Sequence, residues 1–273
     1  MAITTLDGVI AGMQPPQQIL KVTPTMEAIG VMHSTMYNTG RPGAAVAPSP
    51  GINGAALTTY SGQVPFTNPV SGNTYLARMA ARASTAGTLM LCDRLWHNSS
   101  IVSATLTLQA ITTPTFPARD IDGSTNGNGV LMALEVSTAT TNAGAITNTT
   151  LNYTDSAGNT GNVATITSFP ATAIAGTFVP FQLAAGDAGV RAITNASGGG
   201  ITLGTSYGTG VVHLVAYRVL ASVECVAAGI GGAVDAVTSG FPRMYDNTVP
   251  FLVWLPSVTT ATTIQGEIVY TQG

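Results

Sequence analysis

Residues 71–100 read SGNTYLARMAARASTAGTLMLCDRLWHNSS. Three of the chain's arginines, one of its two tryptophans, one of its two cysteines and one of its three histidines fall here. Asn73 or Thr74 is a suitable helix cap, and Leu76, Met79, Ala80 and Ala83 recur at spacings of three and four. Gly87 interrupts that period, Leu89, Cys92 and Leu95 or Trp96 resume it, and Asn98-Ser99-Ser100 ends it. The spacing predicts one kinked helix or two short ones over 74–97. Arg78 and Arg82, four apart, lie on another side from the apolar residues. These two, with Arg94, either solvate an outer face or make fork-like contacts with another subunit.

Downstream the signal changes. Val102, Ala104, Leu106 and Leu108 alternate with polar residues, as a half-buried strand requires. Further strands are predicted at 130–138, 150–155, 162–168, 177–183, 189–194, 211–222, 249–255 and 264–271. Turn clusters such as GSTNGNG, DSAGNTGN, AAGDAG and NASGGG separate them. LNYT-DSAGNTGN-VATI reads as a hairpin. Val211–Leu220 is apolar on both faces and so reads as a central, covered strand. Eight or nine strands with few helical segments between them predict a mainly β fold, an antiparallel β-sandwich of jelly-roll-like type.

Upstream, Thr23-Pro24 suits a helix start, and Met26, Ile29, Met32 or His33, and Met36 follow at helical spacing. Pro15-Pro16 keeps the preceding chain extended, and RPGAAVAPSPGINGAA reads as a linker. The division predicted is an N-terminal arm over 1–60, with one short helix, and a body over 61–273. Met26, Ile29 and Met36, with Arg78, Arg82 and Arg94, are the candidate subunit-interface residues.

Composition narrows the possible tasks. Charged residues make up 8% of the 273, against about 25% in typical soluble proteins. A surface this weakly charged is a poor barrier to association, which favours a stable assembly over a free monomer. A net charge of −3 with nine scattered basic residues argues against nucleic acid. Residues 211–234 are the best membrane candidate, but Arg218 and Glu224 within them, and three glycines near the far end, oppose insertion. The opening residues lack the basic region and long apolar core of an export signal. Cys92 and Cys225 sit among apolar neighbours and read as buried free thiols.

The chemical motifs are weak. GTSYG (204–208) matches the G-x-S-x-G pattern, but a strand follows Ser206 and no histidine follows the later acids. DIDGSTN (120–126) resembles the front of a calcium loop, yet Thr125 and Leu131 occupy the positions where glycine and an acid are required. An Asx-type loop is the simpler reading, with a weak metal site at Asp120 and Asp122 the alternative. Asp93 and His97 form an i, i+4 pair suited to a structural hydrogen bond. Glu135, Glu224 and Glu267 are the only strand-borne candidates for a glycosidase-like acid pair. No catalytic residue, cofactor site or metal site is assigned, and the expectation is a non-enzymatic protein.

The runs YLARMAARASTAGTLMLCDRLWHNS, FQLAAGDAGVRAI, VVHLVAYRVL and FPRMYDNTVPFLVWLPSVTT…GEIVYTQG resemble virion structural proteins of tailed bacteriophages. The resemblance extends from about Tyr60 to Gly273. It implies assembly into a particle made in the host cytoplasm, with the major capsid protein or other virion proteins as partners. A capsid decoration or cement protein, forming a symmetric homo-oligomer such as a trimer on the major capsid protein, is the first expectation. A neck, tail or fibre-base component is the second, and a carbohydrate-binding β-sandwich the third.

Overall fold

The computed structural model describes residues 3, 5–240 and 242–273. The chain forms antiparallel sheets and very little helix, as its alternating runs predict. It divides into two compact units. The first comprises residues 1–46, 58–93 and 219–273, and the second 47–57 and 94–218. The predicted division at residue 60 is therefore not the one the structure makes.

The first unit is a sandwich of two sheets. In one, the order is Gly232–Asp235, β2 (Thr74–Ala83), β10 (Thr263–Gln272), β1 (Gln17–Val22) and Gly40–Arg41, all antiparallel. The other contains β9 (Pro250–Pro256), paired with Gly87–Asp93 of β3 (Gly87–His97) and with Met32–Ser34. Met79, Ala81, Ile264 and Ile268 from the first sheet meet Leu89, Leu91, Leu252 and Trp254 from the second in one apolar core.

The helix predicted over 74–97 is thus two strands, β2 and β3. They lie in different sheets, so the chain crosses the sandwich between them. Along β2, Met79, Ala81 and Ala83 are buried while Arg78 and Arg82 are exposed, a period of two rather than 3.6. Gly87 also fits a strand. A Cβ there would stand 2.3 Å from the Trp254 ring and 2.6 Å from the Leu255 carbonyl oxygen. Only glycine admits this approach of neighbouring strands.

The expected N-terminal arm is part of the same unit. Gln17–Val22 pairs with Thr263–Gln272 along its full length, and Ile19 lies in the core. The helix predicted after Thr23 does not form. Its place is taken by a short strand, Met32–Ser34, and a single 3₁₀ turn, Thr35–Tyr37. Distant carbonyls claim the amides that a helix would have used: Met26 N–H donates to Thr259 O at 2.7 Å and Gly30 N–H to Pro256 O at 3.1 Å. The helices that do form are short, α1 (Leu6–Ala11), capped by the Thr5 hydroxyl, and α2 (Ala236–Ser239), capped by Asp235.

In the second unit, β5 (Ile146–Asp155) is central to one sheet. It pairs with β6 (Asn162–Phe169) on one side and with Gly200–Thr202 and Val190–Ala192 on the other. The β5–β6 hairpin is the one the Gly/Asn-rich loop predicts. Asp155 secures that loop, its carboxylate accepting from the backbone and side-chain amides of Asn159, both at 2.8 Å. In the other sheet β4 (Leu131–Thr138) lies between β7 (Thr177–Pro180) and the first half of β8 (Val211–Cys225). Residues 212–218 of β8 are all buried, the covered strand that an apolar run on both faces requires. Leu134, Val136, Leu151, Ile166, Ile201 and Leu214 belong to this unit's core.

The strand predicted over 102–108 is missing. The Gln109 side chain takes both backbone groups of Val102, accepting from its N–H at 2.8 Å and donating to its carbonyl at 3.0 Å. Thr105 N–H also turns back to Val102 O. With these groups satisfied locally the segment loops outward, and Val102, Leu106 and Leu108 stand exposed. The sandwich expectation is met, but these pairings do not establish a jelly-roll order.

Candidate functional site

The six interface candidates have different fates. Met26 and Met36 are core residues, 4% and 1% exposed, and cannot present a surface to a neighbour. Ile29 is exposed, on the segment just before Met32–Ser34. Arg94 is fully buried, which removes it from any surface role. Arg78 and Arg82 remain, on the open face of β2 with Ala80 between them.

Strand register explains what surrounds them. On the face away from the core, Arg82 lies opposite Gln265 of β10, which lies opposite Leu20 of β1, which lies opposite Arg41. In the next row Ala233, Ala80, Glu267 and Gln18 follow one another across four strands. Together these residues line an open groove of about 1020 Å³. Its floor is made of small residues, among them Ala80, Ala233 and Gly266. Arg78 Nη1 donates to Glu267 Oε1 at 2.5 Å, and Arg82 donates through Nε and Nη2 to Gln265 Oε1 at 3.1 and 2.8 Å. Asp235, opposite Arg78 in register, is turned to capping α2. The amide donors of that cap, with Arg78 contributing, hold its carboxyl below the usual range. Arg41 was hidden within what reads as a linker, so the sequence did not place it beside Arg78 and Arg82.

The second unit holds a different arrangement, buried throughout. Arg94 Nη1 and Nη2 donate to Glu135 Oε1 and Oε2 at 3.0 and 2.6 Å, a two-pronged pair with both side chains fully buried. Arg94 Nε donates to His97 Nδ1 at 3.1 Å, which fixes the ring's own proton on Nε2. Arg119 Nη2 donates to the Arg94 carbonyl, and its Nη1 to Leu57 O. His213 bonds through Nδ1 to Asn98 O at 2.8 Å and through Nε2 to Ser137 Oγ at 2.7 Å. Burial and the neighbouring guanidinium of Arg94 lower His97 to about 3. Burial also lowers His213. Both rings are therefore neutral near pH 7, and they act as hydrogen-bonding struts. Glu135 stands in the apolar run LMALEVS on a buried strand. A carboxylate in such a place requires a partner, and that requirement was the available signal.

The remaining motifs resolve into structure. Both Asp120 carboxylate oxygens are occupied: Oδ1 accepts from the backbone N–H of Asp122 and Ser124, and Oδ2 from Gly127 N–H, Asn128 N–H and Ser124 Oγ. Burial alone would raise this carboxyl, but the Ser124 hydroxyl and the loop amides hold it below its ordinary value. This is the Asx-type loop, with the Asp120 carboxylate taken up by the loop's own donors. Ser206 lies in a loop between Gly200–Thr202 and β8, and its carbonyl accepts from Asn142 Nδ2. Asp93 accepts from Val249 N–H at 2.9 Å, and His97 Nδ1 accepts from Arg94. Cys92 and Cys225 are free and buried. Among the described residues, no three His, Cys, Asp or Glu side chains are grouped to hold a metal ion, and no helix is long and apolar enough to cross a membrane.

No family model matches the chain, and no curated protein matches it. Among solved structures, the infectious bursal disease virus VP2 subviral particle aligns over 100% of this chain and 83% of that chain. The identity is 11% and the TM-score 0.19, a superposition too loose to support a shared fold or a shared task.

Proposed function

We propose that the chain is a non-enzymatic virion structural protein, most specifically a decoration or cement protein on the head of a tailed bacteriophage. The observation that carries this reading is an almost uncharged surface with large apolar side chains left uncovered. Leu6, Ile10, Met13, Leu20, Val22 and Ile29 all stand exposed within the first thirty residues, while the chain's single lysine, Lys21, is buried. Its ammonium donates to Asn38 O at 3.2 Å, and burial lowers it to about 8. Extended apolar exposure marks a surface made for covering, and assembly surfaces of permanent complexes commonly exceed about 2,000 Å² and are apolar. The resemblance of four sequence runs to phage virion proteins supports the same reading. Both tryptophans are fully buried, which takes away the stacking platform that a carbohydrate-binding sandwich would need.

The mechanism is added interfacial free energy. Each copy, in a homo-oligomer, bridges neighbouring subunits of the major capsid shell and so raises the shell's resistance to internal pressure. Particles stripped of this protein are expected to burst at lower temperature and lower osmotic stress, and to recover when it is added back. Unchanged particle stability would overturn the cement reading. Quantitative mass spectrometry of the particle gives the copy number: hundreds of copies fit the head, whereas a dozen or fewer fit a neck or tail component.

A further inference from the structure

The groove over β2, β10 and β1 gathers three of the chain's nine basic residues, Arg41, Arg78 and Arg82. Among the described residues, Arg78 alone of the three has a carboxylate partner there, Glu267. Arg82 gives two hydrogen bonds to the neutral Gln265, and the Arg41 side chain has no partner among the described residues. Arg41 and Arg82 terminate one row across four strands. At about 4.8 Å between neighbouring strands, they are rooted roughly 14 Å apart. Between them lie Leu20 and Gln265, and Gln18 follows in the adjacent row. In a chain of net charge −3, this is a local excess of positive charge with two guanidiniums lacking a counter-ion.

We infer that this groove binds an extended acidic segment of a partner polypeptide. In an extended chain, residues i and i+4 lie on the same side about 13 Å apart, which matches the separation of Arg82 from Arg41. Two acidic side chains at that spacing would take one guanidinium each in fork-like pairs. The Gln18 amide and the Nε2 of Gln265, whose Oε1 is held by Arg82, address the segment's backbone, and the small residues of the floor let that backbone lie close. Glu267 neutralises Arg78 and repels a carboxylate from that end, which directs the two acids to Arg82 and Arg41. No aromatic ring lines the groove, which disfavours a uronic-acid polysaccharide or a single-stranded nucleic acid, whose rings seek stacking surfaces. The inference concerns the groove alone and stands whether or not the chain belongs to a virion, so each proposal fails on its own test.

The test is fluorescence anisotropy of the full chain with a short labelled Thr/Val-rich peptide carrying Glu at positions i and i+4. The same peptide with both Glu changed to Gln is expected to bind at least about tenfold more weakly, the loss of one charge-assisted hydrogen bond or more. Arg41→Gln and Arg82→Gln should each weaken binding by about tenfold, and Arg78→Gln should change it little. Both key side chains lie on the open sheet face, so the variants are expected to melt at the wild-type temperature. Should one fail to fold, the Glu-versus-Gln comparison on the unmodified chain still decides. Equal binding of the two peptides, or none up to about 1 mM, the weakest affinity such contacts would give, overturns the inference. Binding of an oligoglucuronate or a single-stranded oligonucleotide in place of the acidic peptide overturns it as well.

Discussion

Among the described residues an arginine–glutamate pair stands in each unit, and the two pairs are nearly equal in length. Arg94–Glu135 spans 2.6 Å and Arg78–Glu267 2.5 Å. Their surroundings differ completely. The first pair has no solvent exposure on either side chain, whereas the second is 49% and 29% exposed. Distance alone therefore says nothing about what either contributes. In the second unit each charge depends on the other, because neither can be solvated if the other is lost. In the first unit water and salt screen the attraction, and either side chain can be solvated without the other.

The largest expected effect comes from splitting the buried pair. Arg94→Ala or Glu135→Ala should destabilise the chain by about 3–5 kcal/mol in urea or thermal unfolding, since each strands a buried charge. Replacing both with apolar residues, Arg94→Met with Glu135→Leu, should recover most of that loss. If the double variant is no better than the singles, the pair is not behaving as a desolvated unit.

The next effect is in acid. His97 has a folded-state value near 3, against about 6.5 in an unfolded chain. The unfolded state therefore binds the proton first as pH falls, and stability present above about pH 6.5 is lost progressively toward pH 3. His213, lowered in the same direction, adds to the slope. His97→Gln should flatten the loss by up to a few kcal/mol over that window, read by comparing urea midpoints of the two proteins across the pH range. Parallel curves would mean that His97 does not stay neutral in the fold.

The smallest effect belongs to the exposed pair. Arg78→Ala should cost less than about 1 kcal/mol, and less still at high salt. A loss as large as that of Arg94→Ala would erase the contrast between the two units.

These contrasts also show what the sequence could reveal. Residues 212–218 of β8 are legible because an apolar run on both faces has one stable home, between neighbours in a covered sheet. The β5–β6 hairpin is legible because Gly158 and Gly161 supply positive φ where the turn needs it. Thr74–His97 was misread because positions i and i+4 share a face in both a helix and a strand. Arg78 and Arg82 thus fit either, and the alanines between them favour the helix. Pairing with β10 on one side and Gly232–Asp235 on the other overrode that local preference. The partner of Arg94 could not be read, because 41 residues separate it from Glu135. The groove could not be read either: Arg41, Gln18 and Gln265 meet only through pairings among β1, β10 and Gly40–Arg41.

One of those pairings bears on when the first unit comes into being. β10 lies between β1 and β2, although most of the described chain separates it in sequence from β1. Until Thr263–Gln272 has been made, β1 and β2 have no common neighbour and their sheet has no centre. At about 5–20 residues per second, β1 waits on the order of tens of seconds for the strand that joins it to the sheet. The sheet of the first unit is therefore completed only once Thr263–Gln272 is in place, and a chain lacking that strand leaves β1 paired only with Gly40–Arg41.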